Sequence, residues 1–174
     1  RNIFSVLFQD FRFFPLTIAE NLLGNFFCLE DENRIYSALR LFKMDSYIHT
    51  LKKGIHTEIS REFDVNGANQ LCRLGLAKTL IKNHAEIVVL DEPTAPLDST
   101  SEYELNQLLM NGLPDKTVLF ISHRLSTAKL ATRICVMEQG QIVEQGTHEE
   151  LMEKNGKYAQ MFQIQVRQYE KGGM

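Results

Sequence analysis

The residue pattern predicts an α/β fold, with a mainly parallel core sheet flanked by helices, and three observations predict it. Ile87-Val88-Val89-Leu90 is an unbroken apolar run rich in β-branched residues, which suits a strand buried on both faces. It runs directly into Asp91 and Glu92, at the strand end where open α/β sheets place their ligands. A second apolar run, Thr117-Val118-Leu119-Phe120-Ile121, repeats the layout and ends in Ser122-His123-Arg124, after an intervening stretch of helical pattern. Two buried strands that end in two acids and an imidazole suit a phosphate and metal site. Pro93 and Pro96 stop the first strand and force a loop.

Each element follows from local chemistry. Asn2 to Phe8 reads as a strand closed by Gln9-Asp10, followed by an aromatic loop with Phe11, Phe13 and Phe14 as candidate core residues. Thr17 is an N-cap, and Glu20 three residues on completes a capping box, so a helix starts there. Ile35, Leu39 and Phe42 share one helical face, and Tyr47, Ile48 and Leu51 share the face of a shorter helix. Residues 100 to 110 read as a helix with Tyr103, Leu105, Leu108 and Leu109 inward, stopped by Asn111-Gly112-Leu113-Pro114. Leu125 to Leu130 is a short helix. Arg133 to Met137 and Gln141 to Glu144 form a hairpin across Glu138-Gln139-Gly140. Thr147 caps the next helix with Glu150 as its capping-box partner, and the last helix starts near Asn155-Gly156. Lys171 to Met174 is expected to fray.

Composition narrows the function. The 174 residues are one domain's worth of chain, 44% hydrophobic and 24% charged, as in a globular protein with a core. A net charge of −3 gives no reason to expect nucleic acid as a partner. The apolar runs are too short to span a bilayer, and no signal peptide opens the chain. Cys28, Cys72 and Cys135 are far apart and odd in number, which reads as reduced thiols in a cytosolic protein. His49, His56, His84 and His148 lack metal-ligand spacing and read as surface or packing residues.

The stretch Leu90-Asp91-Glu92-Pro93-Thr94-Ala95-Pro96-Leu97-Asp98 resembles the Walker B motif and D-loop of ATP-binding-cassette (ABC) ATPases. Ile121-Ser122-His123-Arg124-Leu125 resembles their switch-histidine loop, in the right order and at the right spacing. Gln9, with Thr17-Ile18-Ala19-Glu20-Asn21-Leu22 behind it, is similar to the Q-loop of the exporter branch. The tail around Gly146-Thr147-His148-Glu149-Glu150-Leu151 also resembles exporters.

The resemblance implies a P-loop NTPase-like sheet with an inserted α-helical subdomain at residues 16 to 80. Residues 1 to 15 and 81 to 174 then supply the core and the C-terminal tail of a partial ABC ATPase domain. It implies ATP and Mg²⁺ as cofactors, with Asp91 and Gln9 near the metal through water. Glu92 becomes the general base, His123 a γ-phosphate contact, and Asp98 a residue that reaches across a dimer. Gln70 joins the nucleotide-binding set. Implied partners are a transmembrane domain, which the aromatic loop would face, and a second nucleotide-binding domain. The implied location is the cytoplasmic face of the cell membrane.

Two departures stand out. The lead-in Glu62 to Asn69 and the helix from Gln70 to Leu80 both match the flanks of the ABC signature. The Leu-Ser-Gly-Gly that should lie between Asn69 and Gln70 is absent, and a degenerate in-place reading, Asn66-Gly67-Ala68-Asn69-Gln70, fits the flanks less well. In the family this element binds the γ-phosphate held by the partner subunit, through glycine-exposed amides at a helix N-terminus. No G-x-x-x-x-G-K-[ST] phosphate loop occurs in the 174 residues either, so the N-terminal part of the fold is expected upstream of Arg1. The chain alone is therefore expected to be inactive. The alternatives are a non-catalytic truncated remnant and an ABC-type DNA-repair ATPase. Against the latter stand the lack of a long heptad insertion between Gln9 and Gln70 and the acidic charge.

Overall fold

The computed structural model describes residues 3–24, 28–59, 67–81, 85–113 and 115–172. The chain divides into two compact units, Arg1–Ile121 and Ser122–Met174, each with its own core.

In the first unit, strands β1 (Phe4–Leu7), β2 (Ile87–Asp91) and β3 (Thr117–Ile121) form a parallel sheet in that order. The register aligns Leu7 with Leu90, Leu90 with Phe120, and Asp91 with Ile121. Side chains alternate across a strand, so Ser5, Leu7, Val88 and Leu90 share one face, and all four are buried. Helices α1 (Ile18–Leu23), α2 (Glu32–Leu41), α3 (Asp45–Thr50) and α4 (Ala68–Ile81) fill the long connection from β1 to β2. Helix α5 (Ser99–Gly112) links β2 to β3. Ile18, Ile35, Leu39, Ile48, Leu74, Leu76, Leu90 and Leu105 are buried in one continuous core. Each such side chain contributes about 1.5–3 kcal/mol through the surface removed from water. The expected capping box on α1 is present: Glu20 N–H donates to Thr17 Oγ1 at 3.2 Å, and Thr17 N–H donates to Glu20 Oε2 at 2.9 Å.

Two sequence expectations need correction. Neither β2 nor β3 is buried on both faces: Ile87 and Val89 are half-buried, Leu119 and Ile121 are each 52% exposed, and Phe4 and Val6 are exposed on the same side of the sheet. A continuous apolar run cannot distinguish a covered strand from one whose second face is open. Nor does Tyr103 point inward; it is 62% exposed. The buried positions of α5 are Glu102, Leu105, Asn106 and Leu109, an i, i+3, i+4, i+7 stripe that misses Tyr103 by one residue. Two polar residues occupy that stripe, so reading hydrophobicity alone rotated the helix.

The second unit holds helix α6 (Leu125–Ala128), the antiparallel hairpin β4 (Ile134–Glu138) with β5 (Gln141–Gly146), and helices α7 (His148–Glu153) and α8 (Lys157–Gly172). The α8 helix runs on through Gly172, past the point where fraying was expected. Its core gathers Leu125, Ile134, Val136, Leu151 and Tyr158. The Thr147–Glu150 capping box forms as the sequence predicts. Glu144 on β5 accepts from Tyr158 N–H at 3.0 Å and Lys157 N–H at 2.6 Å, and these two bonds hold its carboxyl below the usual range. A Cβ on Gly156 would collide with that carboxylate, which explains the glycine just before α8.

Candidate functional site

Asp91 is the last residue of β2, half-buried, and Glu92 follows it out of the sheet. Glu92 adopts φ 48°, in the left-handed region where a residue with a Cβ carries a cost of about 1–2 kcal/mol. Its backbone is secured from both sides. Glu92 N–H donates to Ile121 C=O at 3.0 Å, and Ala95 N–H donates to Glu92 C=O at 3.1 Å. The turn is tightened further by Leu97 N–H donating to Thr94 C=O at 2.9 Å. Hydrogen bonds at the C-terminal end of a parallel sheet thus hold Glu92 in a strained backbone conformation. Sequence reasoning placed the acids correctly but had no signal for this backbone twist.

Gln9 lies two residues past β1, exposed, at the same sheet end as Asp91, because Leu7 and Leu90 are aligned. The loop after Gln9 is held by the buried Asn21. Its Oδ1 accepts from Phe14 N–H at 2.8 Å, and its Nδ2 donates to the carbonyls of Phe14 at 3.0 Å, Thr17 at 3.1 Å and Leu16 at 3.2 Å. Phe11 and Phe13 turn inward and meet edge to face at 5.7 Å, whereas Phe8, Phe14 and Leu16 are exposed. Phe11 fits because α4 carries Gly75 opposite it; a Cβ there would lie 2.8 Å from the ring. The candidate aromatic cluster is thus part core and part exposed apolar surface.

The signature region is helical where it can be described. Residues 60–66 lie outside the described residues, and with them most of the lead-in. Helix α4 starts at Ala68 and runs unbroken across the Asn69–Gln70 junction, with Leu71 N–H donating to Gly67 C=O at 2.7 Å. Gln70 sits half-buried in its first turn. Asn69 is tied down instead of offered to a ligand: its Nδ2 donates to Ser101 Oγ at 3.2 Å, and its Oδ1 accepts from Arg73 Nε at 2.7 Å. Arg73, only 8% exposed, also donates to Phe42 C=O at 3.0 Å and pairs with Glu104 at 3.3 Å. Ser101 passes the chain on, donating from Oγ to Asp98 Oδ2 at 2.7 Å.

Asp98 is the N-cap of α5. Its Oδ1 accepts from Thr100 N–H and Ser101 N–H, both at 3.0 Å. The backbone bond from Ser101, then that residue's hydroxyl, hold the Asp98 carboxyl below its ordinary value. The sequence singled out Asp98 for reach across a dimer. The helix-cap role and the link through Ser101 to Asn69 went unread, because they depend on a contact 32 residues away.

His123 lies in the second unit, exposed, in the loop before α6. Ser122 Oγ accepts from Arg124 N–H at 2.9 Å in that loop. Of the other described histidines, His49 is exposed and stacks on Tyr36 at 5.2 Å, His148 Nδ1 meets Tyr158 Oη at 2.8 Å, and His56 is exposed. His84 lies outside the described residues. All three cysteines are free, and burial pushes the Cys72 thiol up to about 11.

Comparison with known proteins accounts for this arrangement. No family model matches the chain. The ATP-dependent lipid A-core flippase of Bordetella avium is 38% identical over 97% of the chain. Those of Alcanivorax borkumensis and Legionella pneumophila are 35% and 36% identical over 94% and 95% of it. A bacterial Atm1-family ABC exporter with ATP bound superposes with a TM-score of 0.82 at 29% identity, over 95% of the chain. Over nearly its whole length this chain is similar to ABC exporters. It spans 28% of the length of these flippase relatives and 29% of the solved exporter chain, and it matches them as part of a nucleotide-binding domain. Among the described residues no helix is long and apolar enough to cross a membrane. Nothing in these similarities favours a DNA-repair ATPase.

Proposed function

We propose that these residues supply the Walker B, Q-loop, D-loop and switch-histidine parts of an exporter's ATP-hydrolysing machinery, and that the 174 residues by themselves do not turn over ATP. The observation that carries the reading is the strained Glu92 beside Asp91 at the C-terminal end of a parallel sheet. A carboxylate and an amide oxygen, Asp91 and Gln9, form a hard oxygen donor set at one sheet end, which fits Mg²⁺ held through water. Bound there, the metal would supply charge stabilisation for the transferring phosphoryl group. Glu92 takes the proton of the attacking water, His123 donates to the γ-phosphate, and Asp98 and Gln70 belong to the nucleotide-facing set.

The exposed Phe8, Phe14 and Leu16 form the apolar surface on which a transmembrane domain would bear. Asn21 gives that surface a rigid backing. A second nucleotide-binding domain is the other partner in this reading, and the cytoplasmic face of the membrane is the location.

The phosphate cradle is the part these residues lack. A test therefore places residues 1–174 in the Bordetella avium flippase, in place of the matching segment, with Leu-Ser-Gly-Gly inserted between Asn69 and Gln70. Glu92→Gln in that exporter is expected to slow ATP turnover by roughly 10²–10⁴-fold while ATP still binds. Turnover unaffected by Glu92→Gln would remove Glu92 from the chemistry.

A further inference from the structure

The last helix reaches back to the histidine loop through one side chain. Gln165, on α8, accepts from Leu125 N–H through Oε1 at 2.9 Å and donates through Nε2 to His123 C=O at 2.5 Å. A primary amide carries one acceptor and one donor group, so it can grip a backbone N–H and a backbone C=O two residues apart. Helix α6 begins without a side-chain cap of its own, and Leu125 N–H is one of the amides its first turn leaves without an intrahelical partner. Gln165 provides that partner from 40 residues away.

The clamp is placed by packing. Tyr158, Phe162 and Gln165 follow i, i+4, i+7 on α8. Tyr158 and Phe162 seat that face in the same cluster as Leu125. Lys129 lies over the Phe162 ring at 4.6 Å, from the residue just past α6. The aromatic pair thus fixes the height at which the amide meets the loop.

We infer that Gln165 is the positioning residue for His123, so that the C-terminal helix governs how the imidazole is presented. The inference rests on the reading of His123 as the phosphate contact, but the loop geometry can be tested without it. In the 174-residue chain, Gln165→Met removes both bonds, and Gln165→Glu keeps only the acceptor at neutral pH. In Gln165→Met, exchange of the Leu125 amide is expected to rise by about tenfold, the worth of one hydrogen bond, and the His123 ring signals to shift. In Gln165→Glu the Leu125 amide is expected to stay protected while the His123 ring signals still shift. The His148 ring signals serve as the control and stay unchanged, which separates a loop effect from general loosening.

Wild-type exchange at Leu125 with wild-type His123 signals in Gln165→Met would overturn the inference. In the restored exporter, Gln165→Met is expected to lower kcat with KM for ATP unchanged. Wild-type kcat in Gln165→Met, beside lost turnover in His123→Ala, would also overturn it. Full turnover in His123→Ala would instead defeat the reading of His123, and the exchange data would still decide whether Gln165 holds the loop.

Discussion

The end of β2 and the start of α4 are both polar junctions of the first unit, and they have opposite characters. At β2, Asp91 and Glu92 project from a backbone held in a costly conformation by Ile121 and Ala95. At α4, the polar residues satisfy one another: Asn69 binds Arg73 and Ser101, and Ser101 binds Asp98. One junction is held in a conformation that costs local stability. The other is closed by internal hydrogen bonds where the helix runs straight across the Asn69–Gln70 junction. On the proposed reading, one folded unit carries the catalytic edge without the helix start that would grip phosphate.

If the α4 start is held by its own network, breaking that network should be expensive. Arg73→Met leaves Phe42 C=O and Asn69 Oδ1 without their donor, and it is expected to destabilise the first unit by about 2 kcal/mol. Glu104 is largely exposed, so its ion pair adds little to that figure. Urea unfolding followed by amide exchange would show the loss at α4 and leave α8 unchanged. Equal loss in both helices would show that the network does not act on α4 in particular. No loss would mean that α4 is held by burial alone.

A smaller effect tests the link from Asn69 to the D-loop. The hydrogen bonds from Ser101 and Thr100 lower the Asp98 carboxyl below its ordinary 3.8. A carboxylate lowered in the folded state contributes stability at pH above 3.8, and that contribution fades as pH falls through the lowered folded value. Carboxyl NMR titration of Asp98 should therefore give an acid-shifted midpoint, and Ser101→Ala should move it upward. An unmoved midpoint in Ser101→Ala would show that the cap does not depend on Ser101's hydroxyl.

Much of this was legible in the sequence where causes are local. The Thr17–Glu20 and Thr147–Glu150 capping boxes are fixed by four consecutive residues, and both form. The run Ile87–Leu90 ending in two acids needs only its own composition to declare a strand end. What escaped depends on partners distant in sequence. Gln165 reads as one more polar position on an amphipathic helix until the His123 carbonyl is seen against it, 42 residues back. Tyr103 was misplaced because Glu102 and Asn106, both polar, own the buried stripe. The open face of β3 escaped because exposure depends on what lies across the sheet, which a strand's own residues do not encode.

ATP turnover of the exporter carrying residues 1–174, compared with and without Leu-Ser-Gly-Gly inserted between Asn69 and Gln70, tests the central contrast most directly. With the catalytic edge intact and the phosphate grip absent, turnover should sit near background without the insertion and rise on the order of 10²–10³-fold with it. Full turnover without the insertion would contradict the account, because the start of α4 would then be serving the nucleotide as it stands.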